Sequence, residues 1–225
     1  MKIKVLQSLK IGTDQQLSLS TSAAYSAYFS HGYKIDKKSD DTQMENYFSK
    51  YKESIERVHM PPEYNFRNLD STVDLLRLLV VNLKIAGYEK RIGVDAHAGH
   101  SIELSKVEEN LRRLDLYLKK LGDPEVYLSI ENVNKSALSS TEEILNLARY
   151  IYQNKLDRIK ITIDVKDLME TERGDIHSFV DLIKKMQSEG ILDVVSCVHT
   201  PTNLAKTLEK EVEYIPGNID LVTED

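Results

Sequence analysis

From residue 69 onward, hydrophobic and polar positions switch repeatedly between two periods. Residues 69–86 carry apolar side chains at helical spacing and stop at Gly87, a natural helix C-cap. Residues 101–121 place Leu104, Val107, Leu111, Leu114 and Leu118 on one face and end at Gly122. The stretch 140–154 opens on Ser-Thr-Glu-Glu, which has the form of an N-terminal cap. Residues 175–188, ending at Gly190, and 202–213 also read as helices. Between these helices lie short runs at 91–97, 126–131, 159–164 and 194–199 with strand character, most plainly a period of two in IKITID.

The first sixty residues are less regular. Residues 1–11 and 55–59 read as strands, 42–54 as a helix, and the Ser/Ala/Tyr-rich stretch 18–33 as holding a short strand near 28–31. Alternating strands and helices predict parallel strands with helices packed outside. The expected fold class is therefore α/β, with seven to eight parallel strands. An open doubly wound sheet fits the same alternation, so the strand ends must decide between the two.

IERVH ends at His59, RIGVDAH at His97, VYLSIE at Glu131, IKITID at Asp164 and VVSCVH at His199. The residue before each end is apolar or small: Val58, Ala96, Ile130, Ile163 and Val198. That series suits contact with helices, which turns the terminal His, Glu or Asp to the opposite face. In a closed barrel this face is the interior, and the carboxyl ends of the strands surround one mouth. Imidazoles and carboxylates converging there make a nitrogen and oxygen donor set suited to Zn, Mn or another divalent ion. Each residue also has a plainer account: a lone His is a hydrogen-bonded structural residue, and Asp164 or Asp167 caps a helix. Five such residues at five strand ends favour a shared site.

Composition narrows the setting. With 41% hydrophobic and 29% charged residues, nine Gly and five Pro, and no repeat of fixed period, residues 1–225 are expected to form one domain. The net charge of −6 leaves any nucleic-acid partner to local patches, and the one basic cluster near a mouth loop is Lys34, Lys37 and Lys38. Cys197 is the only cysteine, so no intrachain disulfide forms. The N-terminus lacks an apolar core of signal-peptide length, and the most apolar segment, 75–87, is interrupted by Arg77, Asn82 and Lys84. A cytoplasmic protein with no membrane partner is expected. Arg57 and Lys160, if they face the barrel's lower layers, need acidic partners such as Asp95 or Asp220.

At the strand-end residues the chain resembles the xylose isomerase-like TIM barrel superfamily, which includes sugar isomerases and epimerases and endonuclease IV-like AP endonucleases. VHMPPEYNFRNLD resembles its His-x-Pro-Tyr segment, VDAHAG its Val-x-x-His-Pro-Gly with Ala98 for Pro, and LSIEN its strand ending in Glu-Asn. ITIDVKD resembles the strand ending Asp-x-x-His, and VSCVHTP occupies the place of His-Leu-x-Asp. The resemblance implies His59, His97, Glu131, Asp164 and His199 as metal ligands, with Glu131 bridging. Asp167 stands where the endonuclease branch has a His, and Pro201 where an Asp is expected.

Two registers are open for the tail. EVEYIPGNID resembles a family segment that would put Glu211 and Glu213 in the site and end the chain before an eighth strand. Alternatively NIDLVTE is that strand and Glu224 the terminal acid. Either way the expected barrel is shortened at its C-terminus, and a homo-oligomer would cover its closing edge.

The resemblance implies a divalent-metal-dependent isomerase or epimerase of small sugars or keto-sugars, with Zn, Mn or Mg as the ion and Glu131 and Glu224 as the catalytic acids. Phosphodiester hydrolysis at abasic DNA sites is the alternative, with DNA as partner, and a barrel that only binds metal or a small ligand is the third. Tyr64 and His100 are expected to touch substrate, although a surface aromatic and an exposed loop histidine are the ordinary readings of the same residues.

Overall fold

Alternation along each strand sorts its residues between a helix-facing and an inward series, and the computed structural model shows where each goes. It describes residues 4–10, 25–28, 40–51, 54–100, 102–122, 124–172, 176–201, 204 and 219–224. In order these form β1 (Lys4–Lys10), β2 (Tyr25–Tyr28), α1 (Asp40–Tyr51), β3 (Ile55–His59), α2 (Leu69–Ile85), β4 (Ile92–His97) and α3 (Leu104–Leu121). Then follow β5 (Val126–Glu131), α4 (Thr141–Gln153), β6 (Ile159–Asp164), α5 (Val165–Thr171), α6 (Ile176–Ser188), β7 (Val195–Pro201) and β8 (Asp220–Glu224).

Each strand pairs in parallel with the next, and β8 pairs with β1, so the described strands close into a barrel. The tail therefore takes the second register, with residues 220–224 as a strand between β7 and β1. Closure leaves no open edge among the described strands, because β8 hydrogen-bonds to both neighbours. Glu211, Glu213 and the Lys34, Lys37, Lys38 cluster lie outside the described residues, as does nearly all of the expected helix 202–213.

The helix-facing series builds the core. Val58, Val94, Ala96, Leu128, Ile130, Ile161 and Ile163 are buried in one cluster with Leu75, Leu79 and Leu83 of α2, Val107, Leu111, Leu114 and Leu118 of α3, and Ile144 and Leu147 of α4. Each fully buried Leu or Ile contributes roughly 1.5–3 kcal/mol of transfer free energy. Local signals set the helix ends. Ser140 accepts from the Glu143 amide while the Glu143 carboxylate accepts from the Ser140 amide, closing a capping box on α4. No helix among the described residues is long and apolar enough to cross a membrane.

The inward series is polar. In the middle layer Arg57 is fully buried, its Nε 3.0 Å and its Nη2 2.5 Å from the two Asp95 carboxylate oxygens. The guanidinium also donates to Tyr127 Oη (2.9 Å), Asp220 Oδ2 (3.3 Å), Ser129 Oγ (3.1 Å), Thr162 Oγ1 (3.2 Å) and Ser196 Oγ (3.3 Å). Burial opposes the charge on both partners, yet Arg57 holds the Asp95 carboxyl below its usual range and Asp95 keeps the guanidinium charged. Arg57 thus finds both of the acidic partners that its position called for. Lys160 does not: its Nζ donates to the Asp193 carbonyl at 2.8 Å, near the amino ends of the strands.

Candidate metal centre at the barrel mouth

One layer above Arg57 the same strands deliver His59, His97, Glu131, Asp164 and His199. In-register pairing sets His97 beside Glu131 and Asp164 beside His199. Glu131, 4% exposed, is the hub. His59 Nε2 lies 2.6 Å and His97 Nε2 3.3 Å from its Oε2, while His199 Nδ1 lies 2.8 Å from its Oε1. The His59 ring stands edge-on to His97, with centroids 5.1 Å apart, and 5.5 Å from His199. His59 Nδ1 meets the Met60 carbonyl at 2.8 Å, which orients the ring so that Nε2 faces the pocket.

Donor atoms of His59, Glu131 and His199 lie within 4.8 Å of one another, close enough to grip a single ion. Burial penalises the charge of Glu131, but His199 and His59 hold its carboxyl well below the usual range. Burial likewise opposes protonation of the imidazoles, and Glu131 outweighs it, raising His59 and raising His199 strongly. A buried carboxylate that attracts positive charge onto both neighbours is an environment built for a cation. Two imidazoles and one carboxylate fit a divalent ion such as Zn or Mn.

Asp164 has both of the roles between which its sequence leaves a choice. It is the N-cap of α5, its Oδ1 accepting from the Asp167 amide at 2.7 Å. It also faces the centre: burial, and then the charge of Glu131, push its carboxyl up to about 7. It stands outside the tight His59–Glu131–His199 set. Asp167 is half-buried, its Oδ2 accepting from the Asn134 amide at 3.1 Å, and burial raises its carboxyl. Cys197 is buried beneath the centre against Val222.

The remaining expected residues scatter. Tyr64 is 8% exposed and packs in the main core, so the surface-aromatic reading is corrected. His100 is exposed on the loop after β4 and forms a bridge to Ser136 on the loop after β5. The backbone of Glu224 ends β8 opposite Pro201, and its side chain lies outside the described residues.

One residue at this mouth has a part that the sequence does not reveal. Asn132 is fully buried; its Nδ2 donates to the Asp164 carbonyl at 3.0 Å and its Oδ1 accepts from the Asp164 amide at 2.7 Å. It ties the end of β6 to the end of β5. The signal was an amide immediately after the strand's last acid, in LSIEN.

No protein-family model matches the sequence, and no curated protein matches it. Solved structures do match in fold. A 3-keto-D-glucoside 4-epimerase from E. coli is 13% identical with a TM-score of 0.62, over 99% of this chain and 92% of that chain. A xylose isomerase domain protein from Planctomyces limnophilus is 11% identical with a TM-score of 0.64, over 99% and 91%. An IolI protein with a bound zinc atom is 12% identical with a TM-score of 0.54, over 87% and 77%. The fold is that of the xylose isomerase-like TIM barrels.

Proposed function

We propose that this single-domain barrel is a divalent-metal-dependent isomerase or epimerase of a small sugar or keto-sugar. The observation that carries the reading is the buried Glu131 carboxylate facing His59, His97 and His199 at the carboxyl ends of the strands. His59, Glu131 and His199 would hold the ion, with His97 and Asp164 beside them. A bound divalent ion supplies Lewis acidity, polarising a substrate carbonyl and making the hydrogen on the neighbouring carbon easier to remove.

The chain's own groups then divide the proton work. Glu131 is occupied by imidazoles on both oxygens, which suits a ligand more than a mobile base. Asp164, which faces the centre beside these ligands, is the acid that this reading assigns to one proton transfer. Glu224, at the end of β8, is the second acid that this reading assigns to the opposite transfer. The fully buried Arg57, bonded to Ser129 and Thr162, forms the layer beneath this pocket.

A sugar-epimerase structure among those of the same fold supports this reading, and so does a zinc-bound one. The adjacency of His59 and His97 favours one alternative, phosphodiester hydrolysis at abasic sites. The test is a pair of assays on protein loaded with Zn or Mn. The proposal predicts deuterium uptake from D2O at the carbon beside the carbonyl of a keto-sugar, lost in Asp164→Asn. Nicking of abasic duplex DNA without deuterium uptake would replace it with the hydrolase, and neither activity in metal-loaded protein would leave a binding barrel.

A further inference from the structure

We propose that the outer face of α2 and α3 docks a second copy of this chain, across a two-fold axis that sets the two helix pairs antiparallel.

Four large hydrophobic side chains are exposed among the described residues, and three of them lie on these two helices: Val81 (45%), Ile85 (58%) and Leu116 (60%). Lys84 Nζ donates to the Leu121 carbonyl at 2.7 Å, so the second halves of α2 and α3 lie side by side. Val81 and Leu116 each belong to an exposed stripe with steps of three and four residues. On α2 the stripe reads Asp70, Asp74, Arg77, Val81 and Lys84; on α3 it reads Glu109, Arg112, Leu116 and Lys120.

Acids thus occupy the first half of the face and cations the second. Lys106 partly neutralises Glu109 at 2.7 Å, so Asp70 and Asp74 carry most of the acid. Helix dipoles favour charges of this kind in the terminal turns, which covers Asp70, Lys84 and Lys120. They do not account for Asp74, Arg77 and Arg112, which lie further in. Two copies stacked with their helices parallel would set cation on cation. Antiparallel copies set Asp70 and Asp74 of each against Lys84 and Lys120 of the other, the self-complementarity that a two-fold contact requires. Val81 and Leu116 lie about one turn past the middle of their helices, so both copies bring them close to the axis. An apolar centre with a charged rim is the anatomy of a protein interface.

The experiment is sedimentation equilibrium of the full-length protein. Wild type is expected to dimerise with a Kd in the micromolar range, weakening as salt rises. Val81→Ser/Leu116→Ser changes side chains that are exposed in the monomer, and should raise Kd by about tenfold. Lys84→Glu/Lys120→Glu and Asp70→Lys/Asp74→Lys, with folding checked by circular dichroism, should each stay monomeric. An equimolar mixture of these two should associate, because every contact is again between opposite charges. Wild type that stays monomeric up to roughly 1 mM would overturn the proposal, and monomer that sediments with phosphatidylserine vesicles would give the face to a membrane instead. A dimer that the serine variant leaves unchanged would overturn this face, and a mixture of folded charge variants that stays monomeric would overturn the antiparallel arrangement.

Discussion

Asn132 grips Asp164 by both of its backbone polar groups, accepting from the amide at 2.7 Å and donating to the carbonyl at 3.0 Å. The contact crosses from the end of β5 to the end of β6, with the Asn132 side chain fully buried. It therefore fixes the distance between the acid of Glu131 and that of Asp164, the two groups on which the proposed chemistry depends.

Replacing this amide separates positioning from folding. Asn132→Ala strands two backbone groups, each costing roughly 1–3 kcal/mol if left dry. Urea unfolding should show a loss of that order. Turnover should fall further than the loss of folded protein explains, with Asn132→Asp failing to rescue because it cannot donate to the Asp164 carbonyl. A purely structural role predicts activity that tracks the folded fraction.

The Arg57–Asp95 pair beneath the centre gives a second prediction. Removing one partner leaves the other charge buried, at a cost of about 3–5 kcal/mol. Arg57→Met and Asp95→Leu should each destabilise by that much, and the double variant by clearly less than the sum. Additive effects would show that the two residues act independently.

The same pair sets an acid limit. The Asp95 carboxyl is lowered in the fold, with Arg57 overcoming the opposing effect of burial. Its stabilisation is complete above the unfolded carboxylate value of about 4 and is lost as pH falls through the lower folded value. Wild-type stability should therefore drop below about pH 4, and Asp95→Leu should show a shallower drop over the same window. Parallel acid profiles for the two proteins would remove Asp95 as the cause.

Ser140 offers a local control remote from chemistry. Ser140→Ala removes the capping bond to the Glu143 amide and should cost about 1 kcal/mol. Urea midpoints measure this directly, and metal content should be unaffected. A change in metal content would show that the end of α4 communicates with the mouth.

Much of this architecture is visible in the residues. The buried face of α3 can be read directly, because Val107, Leu111, Leu114 and Leu118 recur at helical intervals and all enter the core. The strand ends were legible because a period of two places Ile163 outward and Asp164 inward, and the polar terminus breaks an apolar run. What could not be read is the meaning of residues with two simultaneous roles. Asp164 caps a helix and faces Glu131, and no local pattern distinguishes one role from both. The seven-residue α5 was hidden for a related reason, being too short for a full amphipathic stripe. Lys160 shares inward parity with Thr162, yet its long side chain reaches the Asp193 carbonyl near the barrel's lower end, a distance that alternation does not encode.

Metal content of Glu131→Ala beside wild type tests the central claim most directly. Both proteins are purified identically, checked for folding and analysed for Zn, Mn and Mg. The account predicts about one equivalent of divalent ion in the wild type and loss of most of it in the variant, with folding retained. Equal metal in the two folded proteins would contradict a centre built on this carboxylate.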